Sequence, residues 1–133
     1  MGVGSRIEPT RLCDLALVPA AGTAAFVSAA SGLVRVGSHL YVIADDALDL
    51  TAFDIDGRAP GRRIRLFPGA LPAQKAHRKR LKPDLEALVW LEPGTRFPNG
   101  ALMALGSGST ALRRRGAILA MDGQGRAAGT ARP

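Results

Sequence analysis

The sequence predicts an all-β protein: a partial β-propeller of about two four-stranded antiparallel meander blades, with a small β-sandwich as the alternative. Three observations carry this. Apolar and polar residues alternate with period two, as in TAFDIDG (51–57), where Phe53 and Ile55 oppose Asp54 and Asp56, and in RRIRLF (62–67), where Ile64 and Leu66 oppose Arg63 and Arg65. The runs are short and punctuated by the turn formers VGS, DIDGRAPG, EPGTRFPNG and MDGQG, while helical periodicity is almost absent. The runs also recur as a set, the signature of stacked four-stranded units.

In order along the chain, LCDLALVP (12–19) is a candidate opening strand. A first blade-like unit over 24–70 holds GLVRV (32–36), HLYVIA (39–44), TAFDIDG and RRIRLF. Pro72 to Lys82 has room for one helical turn at most. A second unit over 82–125 holds LEALVWL (85–91), ALMALG (101–106) and GAILAMD (116–122). SGLV, LYVIADD and AFDIDG of the first unit match EALV, LMALGSG and ILAMDG of the second, at offsets of 55 (31 to 86), 62 (40 to 102) and 66 (52 to 118). The second unit stops after its third strand, and GQGRAAGTARP reads as a linker or frayed end. A closed propeller takes at least four blades of roughly 40–45 residues, about 160 in all. The 133 residues therefore read as one propeller-like domain or fragment, expected to belong to a longer gene product, to self-associate because the propeller is incomplete, or to form the sandwich.

Composition narrows the classes. The chain carries 18 Lys+Arg against 11 Asp+Glu, a formal charge of +7, which favours polyanionic or phosphorylated partners. Only Lys75, Lys79 and Lys82 are lysine, and an Arg-, Ala-, Gly- and Pro-rich composition of the kind GC-rich codons produce discounts the nucleic-acid reading. The single Cys13 excludes an internal disulfide and a Cys-based zinc site, and fits a reducing compartment. Leu15 to Val34 is uncharged, but Glu8 and Asp14 spoil a basic leader, and Pro19 and Gly22 interrupt any membrane span. A cytoplasmic protein without a membrane segment is the expectation, with a cleavable leader as the alternative.

The densest chemistry is HRKRLKPDLEALVWL (77–91). It reads as a basic loop between blades, Lys and Arg blunting a sheet edge, or as half of a site. In the second case, alternation sets Asp84 and Glu86 on one side, opposite Leu85, where a cation or hydroxyl would sit, and Lys79 and Lys82 neutralise anionic ligand groups. The run lacks the interleaved aromatics that stack bases, so nucleic acid ranks last. IADDALD brings Asp45, Asp46 and Asp49 to a strand end, as turn caps or as oxygen ligands for a hard cation. FDIDG lacks the later ligands of a calcium loop, and a hairpin explains it. LGSGSTALRRR lacks the Gly-Lys-Ser/Thr ending of a nucleotide loop. What is left is either a flexible turn or an anion nest of Ser107, Ser109, Thr110 and backbone amides beside Arg113, Arg114 and Arg115. GQGRAAG has the wrong spacing for a dinucleotide fingerprint. His39 and His77 share no metal spacing, and no Gly-x-Ser-x-Gly elbow is present.

ASGLVRVGSHLYVIADD, RKRLKPDLEAL and GALMALGSGST followed by RRRGAI resemble the opening blades of an uncharacterised group of bacterial β-propeller proteins, similar in pattern to the esterase-like phytase propellers. The resemblance spans roughly residues 29–123, and Lys-Pro-Asp-Leu-Glu and Gly-Ser-Gly-Ser are its most specific parts. It implies a six-bladed type with loops around a central channel, where acidic residues hold a divalent cation and phosphate esters are hydrolysed. Glu86 is the position that would correspond to a metal ligand. Most blades of such a propeller are missing from this chain.

The reading is a ligand-binding or interaction module of β-propeller type. Its tips, with Asp45 and Asp46, with Lys79, Lys82, Asp84 and Glu86, and with Ser107, Ser109 and Arg113, are expected to face a common side. The expected ligand is a small anion or a cation-bridged group. Glu86 is the metal candidate, and a divalent cation such as Ca²⁺ the one cofactor considered. The alternative is a metal-dependent phosphoester hydrolase, and whether the protein is an enzyme stays open at this point.

Overall fold

The structure, a computed structural model, describes residues 4–19, 24–128 and 131–132. Strands β1 (Ala30–Val36), β2 (His39–Ala44), β3 (Asp49–Asp54) and β4 (Arg62–Arg65) form a four-stranded sheet, paired in that order. Helix α1 (Lys75–Leu81) leads to β5 (Leu85–Leu91), β6 (Ala101–Gly106) and β7 (Gly116–Ala120), a three-stranded sheet with a 3₁₀ turn at Ala111–Arg113 before β7. Every neighbouring pair is antiparallel, so the protein is all-β apart from one short helix.

Local chemistry sets the turns. Val36 pairs with His39, leaving Gly37-Ser38 as a two-residue loop. Gly37, at φ 59°, takes the first loop position, where a positive φ matches the twist of the flanking strands. Gly100 is required by sterics as well as by its φ of 82°, because a Cβ there would lie 2.2 Å from the Trp90 ring.

The two meanders share a register. Leu33 pairs with Val42 and Val42 with Thr51; at offsets of 55, 62 and 66 these become Leu88 with Ala104 and Ala104 with Ala117, which is the observed pairing. Each first strand also has its irregularity at the same place, between Ala30 and Gly32 in β1 and between Leu85 and Ala87 in β5, so Ser31 and Glu86 are the extra residues.

The sheets pack face to face, β5 lying against β1 and β2. From the first meander Val34, Val36, Tyr41, Ile43, Leu50 and Ala52 meet Leu88, Trp90, Leu102, Ala104, Ala117 and Leu119 of the second. Tyr41, Ile43 and Leu50 are 0% exposed and Leu102 and Leu119 1%. Burying such side chains contributes about 1.5–3 kcal/mol each. Gly32 lets the backbones approach, since a Cβ would sit 3.2 Å from the Leu88 nitrogen.

Three sequence expectations are corrected. The helix is α1, seven residues rather than one turn; it buries no residue, so no apolar stripe announced it. The segment 12–19 is not a full strand among the described residues: Leu17 makes a single parallel bridge to Gly61 and packs with Val27 on Val42 and Phe53. The tail is not frayed where it is described. Ala128 N–H donates to Ala120 O (2.9 Å), and Arg132 and Ile118 exchange backbone hydrogen bonds (2.8 and 2.9 Å), adding a fourth pairing partner beside β7. Tyr41 ties this tail to the first sheet, its hydroxyl donating to Gly125 O (3.1 Å) and accepting from Ala127 N–H (3.0 Å). Among the described residues no helix is long and apolar enough to cross a membrane.

Candidate functional site

Each meander begins with the same clasp. Ala29 and Asp84, the non-glycine residues with positive φ among those described (50° and 56°), directly precede β1 and β5. The Ala29 carbonyl accepts from Asp45 N–H (3.1 Å) and the Asp84 carbonyl from Ser107 N–H (2.9 Å). These pairs are equivalent at the same offsets, 55 and 62. The clasp carries its acid on opposite members in the two meanders, Asp45 in the first and Asp84 in the second.

α1 and the Lys82-Pro83 step run between the clasps and place a cation there. Lys82 Nζ lies 2.9 Å from Asp45 Oδ2 and 3.0 Å from Asp84 Oδ1, with 14% of its side chain exposed. Arg113 Nη1 lies 3.0 Å from Asp84 Oδ2, and the Ser107 hydroxyl donates to the same oxygen at 2.7 Å. Arg113 also donates to Ser109 Oγ (3.1 Å), which lies 2.9 Å from Ser107 Oγ. The Ser107 hydrogen bond, then the Lys82 and Arg113 charges, hold the Asp84 carboxyl below its ordinary range against the opposing effect of burial. Burial works against the Lys82 ammonium, but Asp45 and Asp84 together push its pKa above the usual value.

Glu86, the extra residue of β5, is exposed and turns toward this cluster. One carboxylate oxygen from each of Asp45, Asp84 and Glu86 falls within 4.8 Å of the others. Asp45 and Asp84 share Lys82, whereas Glu86 has no side-chain partner among the described residues. At neutral pH three carboxylates face two cations, so the cluster is net negative and both cations are already engaged.

Not every candidate joins it. Asp46 turns away, accepting from Ser28 Oγ (2.8 Å), while its carbonyl accepts from Arg78 Nη2 (2.7 Å). The Lys79 side chain is exposed and it is the Lys79 carbonyl that takes part, accepting from Arg113 Nη2 at 2.8 Å. Asp49 pairs with Arg65 (3.1 Å), though burial keeps its carboxyl above the ordinary value. His39 lies 3.4 Å from Asp54 at the far end of the sheet, away from His77.

Arg78 and Arg115 were missed as structural clamps. Arg115 Nη2 donates to Leu81 O (3.2 Å) at the end of α1 and its guanidinium stacks 5.0 Å from the Phe67 ring. The arginines read as an anion nest therefore include two that bind the last carbonyls of a helix, where cations complement the helix dipole. Recognising α1 would have supplied that signal.

The profile of a family of unknown function, DUF6929, matches residues 26–132, most of the chain. No curated protein and no solved structure matches.

Proposed function

We propose that this chain, which belongs to the DUF6929 family of unknown function, is a ligand-binding module of β-propeller type that holds an anionic ligand through a divalent cation at its meander tips. The propeller reading is supported by the shared register, the repeated clasp, and the packing of one face of the first meander on the opposite face of the second. The site reading rests on one observation: carboxylate oxygens of Asp45, Asp84 and Glu86, drawn from both meanders, gather within 4.8 Å of one another around a net negative charge. A bare anion would meet Lys82 and Arg113 already paired with Asp45 and Asp84. A hard cation such as Ca²⁺, which takes oxygen ligands at about 2.3–2.6 Å, would meet Glu86 unpaired and compete with the Lys82 ammonium for the other two carboxylates.

Calorimetric titration of the protein with CaCl₂ tests this. Weak binding, of the order of 10⁻⁴–10⁻³ M, is expected for a site with so few charges to spare. Lys82→Met removes the competing ammonium and tightens binding, and Glu86→Gln weakens it. No heat with millimolar Ca²⁺ in either the native chain or Lys82→Met defeats the proposal.

The unpaired Glu86 favours a second reading, metal-dependent phosphoester hydrolysis, since a metal held there keeps open positions for a phosphate oxygen. Turnover of a generic phosphate monoester that requires added Ca²⁺ and vanishes in Glu86→Gln supports it. Ca²⁺ binding without turnover leaves the binding module alone.

A further inference from the structure

The end of the strands remote from the clasps carries a second polar cavity. His39 opens β2, Asp54 closes β3 as its cross-strand partner, and Arg62 opens β4 opposite Ala52, so one end of the first sheet brings these three together. Asp45 follows β2 at its other end. With Arg126 of the tail, and with Phe53 and Pro60 as apolar walls, they line a cavity of about 290 Å³. That is small for a ligand site but has room for one oxyanion and a compact organic body.

The tail holds Arg126 in place. Tyr41 bonds on both sides of it, its buried hydroxyl donating to Gly125 O (3.1 Å) and accepting from Ala127 N–H (3.0 Å). Asp122 bonds Arg126 itself: Oδ1 accepts from the Arg126 N–H (2.9 Å), and the Asp122 N–H donates to the Arg126 carbonyl (2.8 Å). These hydrogen bonds fix the backbone on either side of a side chain whose guanidinium makes no hydrogen bond or ion pair among the described residues, and the same is true of the Arg62 guanidinium. Burial raises the Tyr41 pKa, while the Ala127 N–H and the Arg62 and Arg126 charges oppose it, so both charges act near one hydroxyl. Against these two cations the cavity lining sets one carboxylate, Asp54, 3.4 Å from His39 Nε2. Asp122, the next acid, turns its Oδ1 to the Gln124 and Arg126 N–H groups (2.8 and 2.9 Å). His39 Nδ1 is buried without a hydrogen-bond partner, and such an atom calls for one.

We propose that the cavity between Arg62, Arg126 and His39 binds a small phosphate-type oxyanion directly, without a metal, through arginines that arrive from the first sheet and from the tail. Guanidinium groups present paired N–H donors that match the oxygens of a phosphate. Two of them beside an imidazole offer more donors than the two oxygens of a carboxylate can take, and they suit a phosphate better. The balance is the reverse of that at the clasp, where three carboxylates face two cations already engaged. The two sites lie at opposite ends of the strands, so this one stands independently of any Ca²⁺ at Glu86.

Calorimetric titration in metal-free buffer at constant ionic strength, with sodium phosphate and phenyl phosphate as probes, tests this on the native chain. At least one probe should bind at millimolar concentration or below. Tighter binding of phenyl phosphate marks an organic phosphate as the ligand; phenyl phosphate no tighter than inorganic phosphate marks the free ion. Arg126→Gln and Arg62→Gln should each weaken binding about 10-fold, with far-ultraviolet circular dichroism confirming that each is folded; either folded variant suffices. Arg80→Gln removes the same charge from an exposed position on α1 and should bind as the native chain does. No heat from either probe at tens of millimolar overturns the proposal, as does binding that survives both arginine substitutions. Binding that falls equally in Arg80→Gln also overturns it, being the mark of attraction to the overall charge.

Discussion

Replacing Asp84 by Asn removes one negative charge while keeping the backbone where it is, since Asn tolerates the φ of 56° that most side chains resist. Asp84 accepts hydrogen bonds from Ser107 at 2.7 Å and pairs at 3.0 Å with both Lys82 and Arg113. Hydrogen bonds to charged groups contribute roughly 1.5–3 kcal/mol each, so losing the charge from two of them removes about 3–6 kcal/mol before compensation. Two features reduce this. Lys82 keeps Asp45 at 2.9 Å, and Arg113, 16% exposed, retains some access to water. The expected net loss for Asp84→Asn is about 2–3 kcal/mol; Asp84→Ala loses about 1 kcal/mol more through its positive φ. Urea unfolding followed by the fluorescence of Trp90, the one tryptophan in the chain, measures it, and at about 1–3 kcal/mol per molar the midpoint should fall by about 1 M. The sign with pH is determined by the lowered folded-state pKa. The contribution is fully present above the unfolded carboxylate value of about 3.9 and is lost as pH falls through the folded value. The gap between native and Asn chains should therefore be constant from neutrality to about pH 5 and narrow as pH falls below about 4. A loss under about 0.5 kcal/mol at neutral pH, the size of an ordinary surface substitution, or a gap that does not narrow in acid, would refute the reasoning.

Tyr41→Phe removes both hydrogen bonds that tie the tail to the first sheet and should cost about 1–2 kcal/mol, with faster hydrogen exchange at the Ala127 and Ala128 amides than elsewhere in the core. Gly100→Ala puts a Cβ 2.2 Å from the Trp90 ring at a φ of 82°. It should destabilise by at least about 2 kcal/mol and shift Trp90 emission, because the ring must move; unchanged emission would show that the close approach is unimportant. Lys82→Met leaves Asp45 and Asp84 facing each other without their shared cation, so melting temperature should fall and Ca²⁺ should restore it by mass action.

Much of the fold was legible in the residues because a strand with one buried face must alternate. Thr51, Phe53, Arg63 and Arg65 fall on one side of the first sheet and Leu50, Ala52 and Ile64 on the other as period two dictates. The offsets 55, 62 and 66 were equally readable, and they carry the strand pairings of one meander onto the other. The tail was not legible, since Gly, Ala and Arg show no alternation and its pairing with β7 uses backbone groups that every residue possesses. Nor was α1: it buries nothing, and it is held by its own Arg78 reaching the Asp46 carbonyl and by Arg113 and Arg115 donating to its Lys79 and Leu81 carbonyls.

For the candidate site the division is sharper. The sequence by itself determined that acidic and basic residues would crowd the strand ends at Asp45, Lys82, Asp84, Glu86, Ser107 and Arg113, because turns and strand ends are where polar side chains escape the core. Only the tertiary structure decided that Asp46 turns away while Asp45 turns in, that Lys82 lies between two carboxylates from different sheets, and that Glu86 is left unpaired. Those outcomes depend on how one sheet settles against the other and on a positive φ at Asp84. They are relations between segments some forty residues apart, which local propensity does not encode.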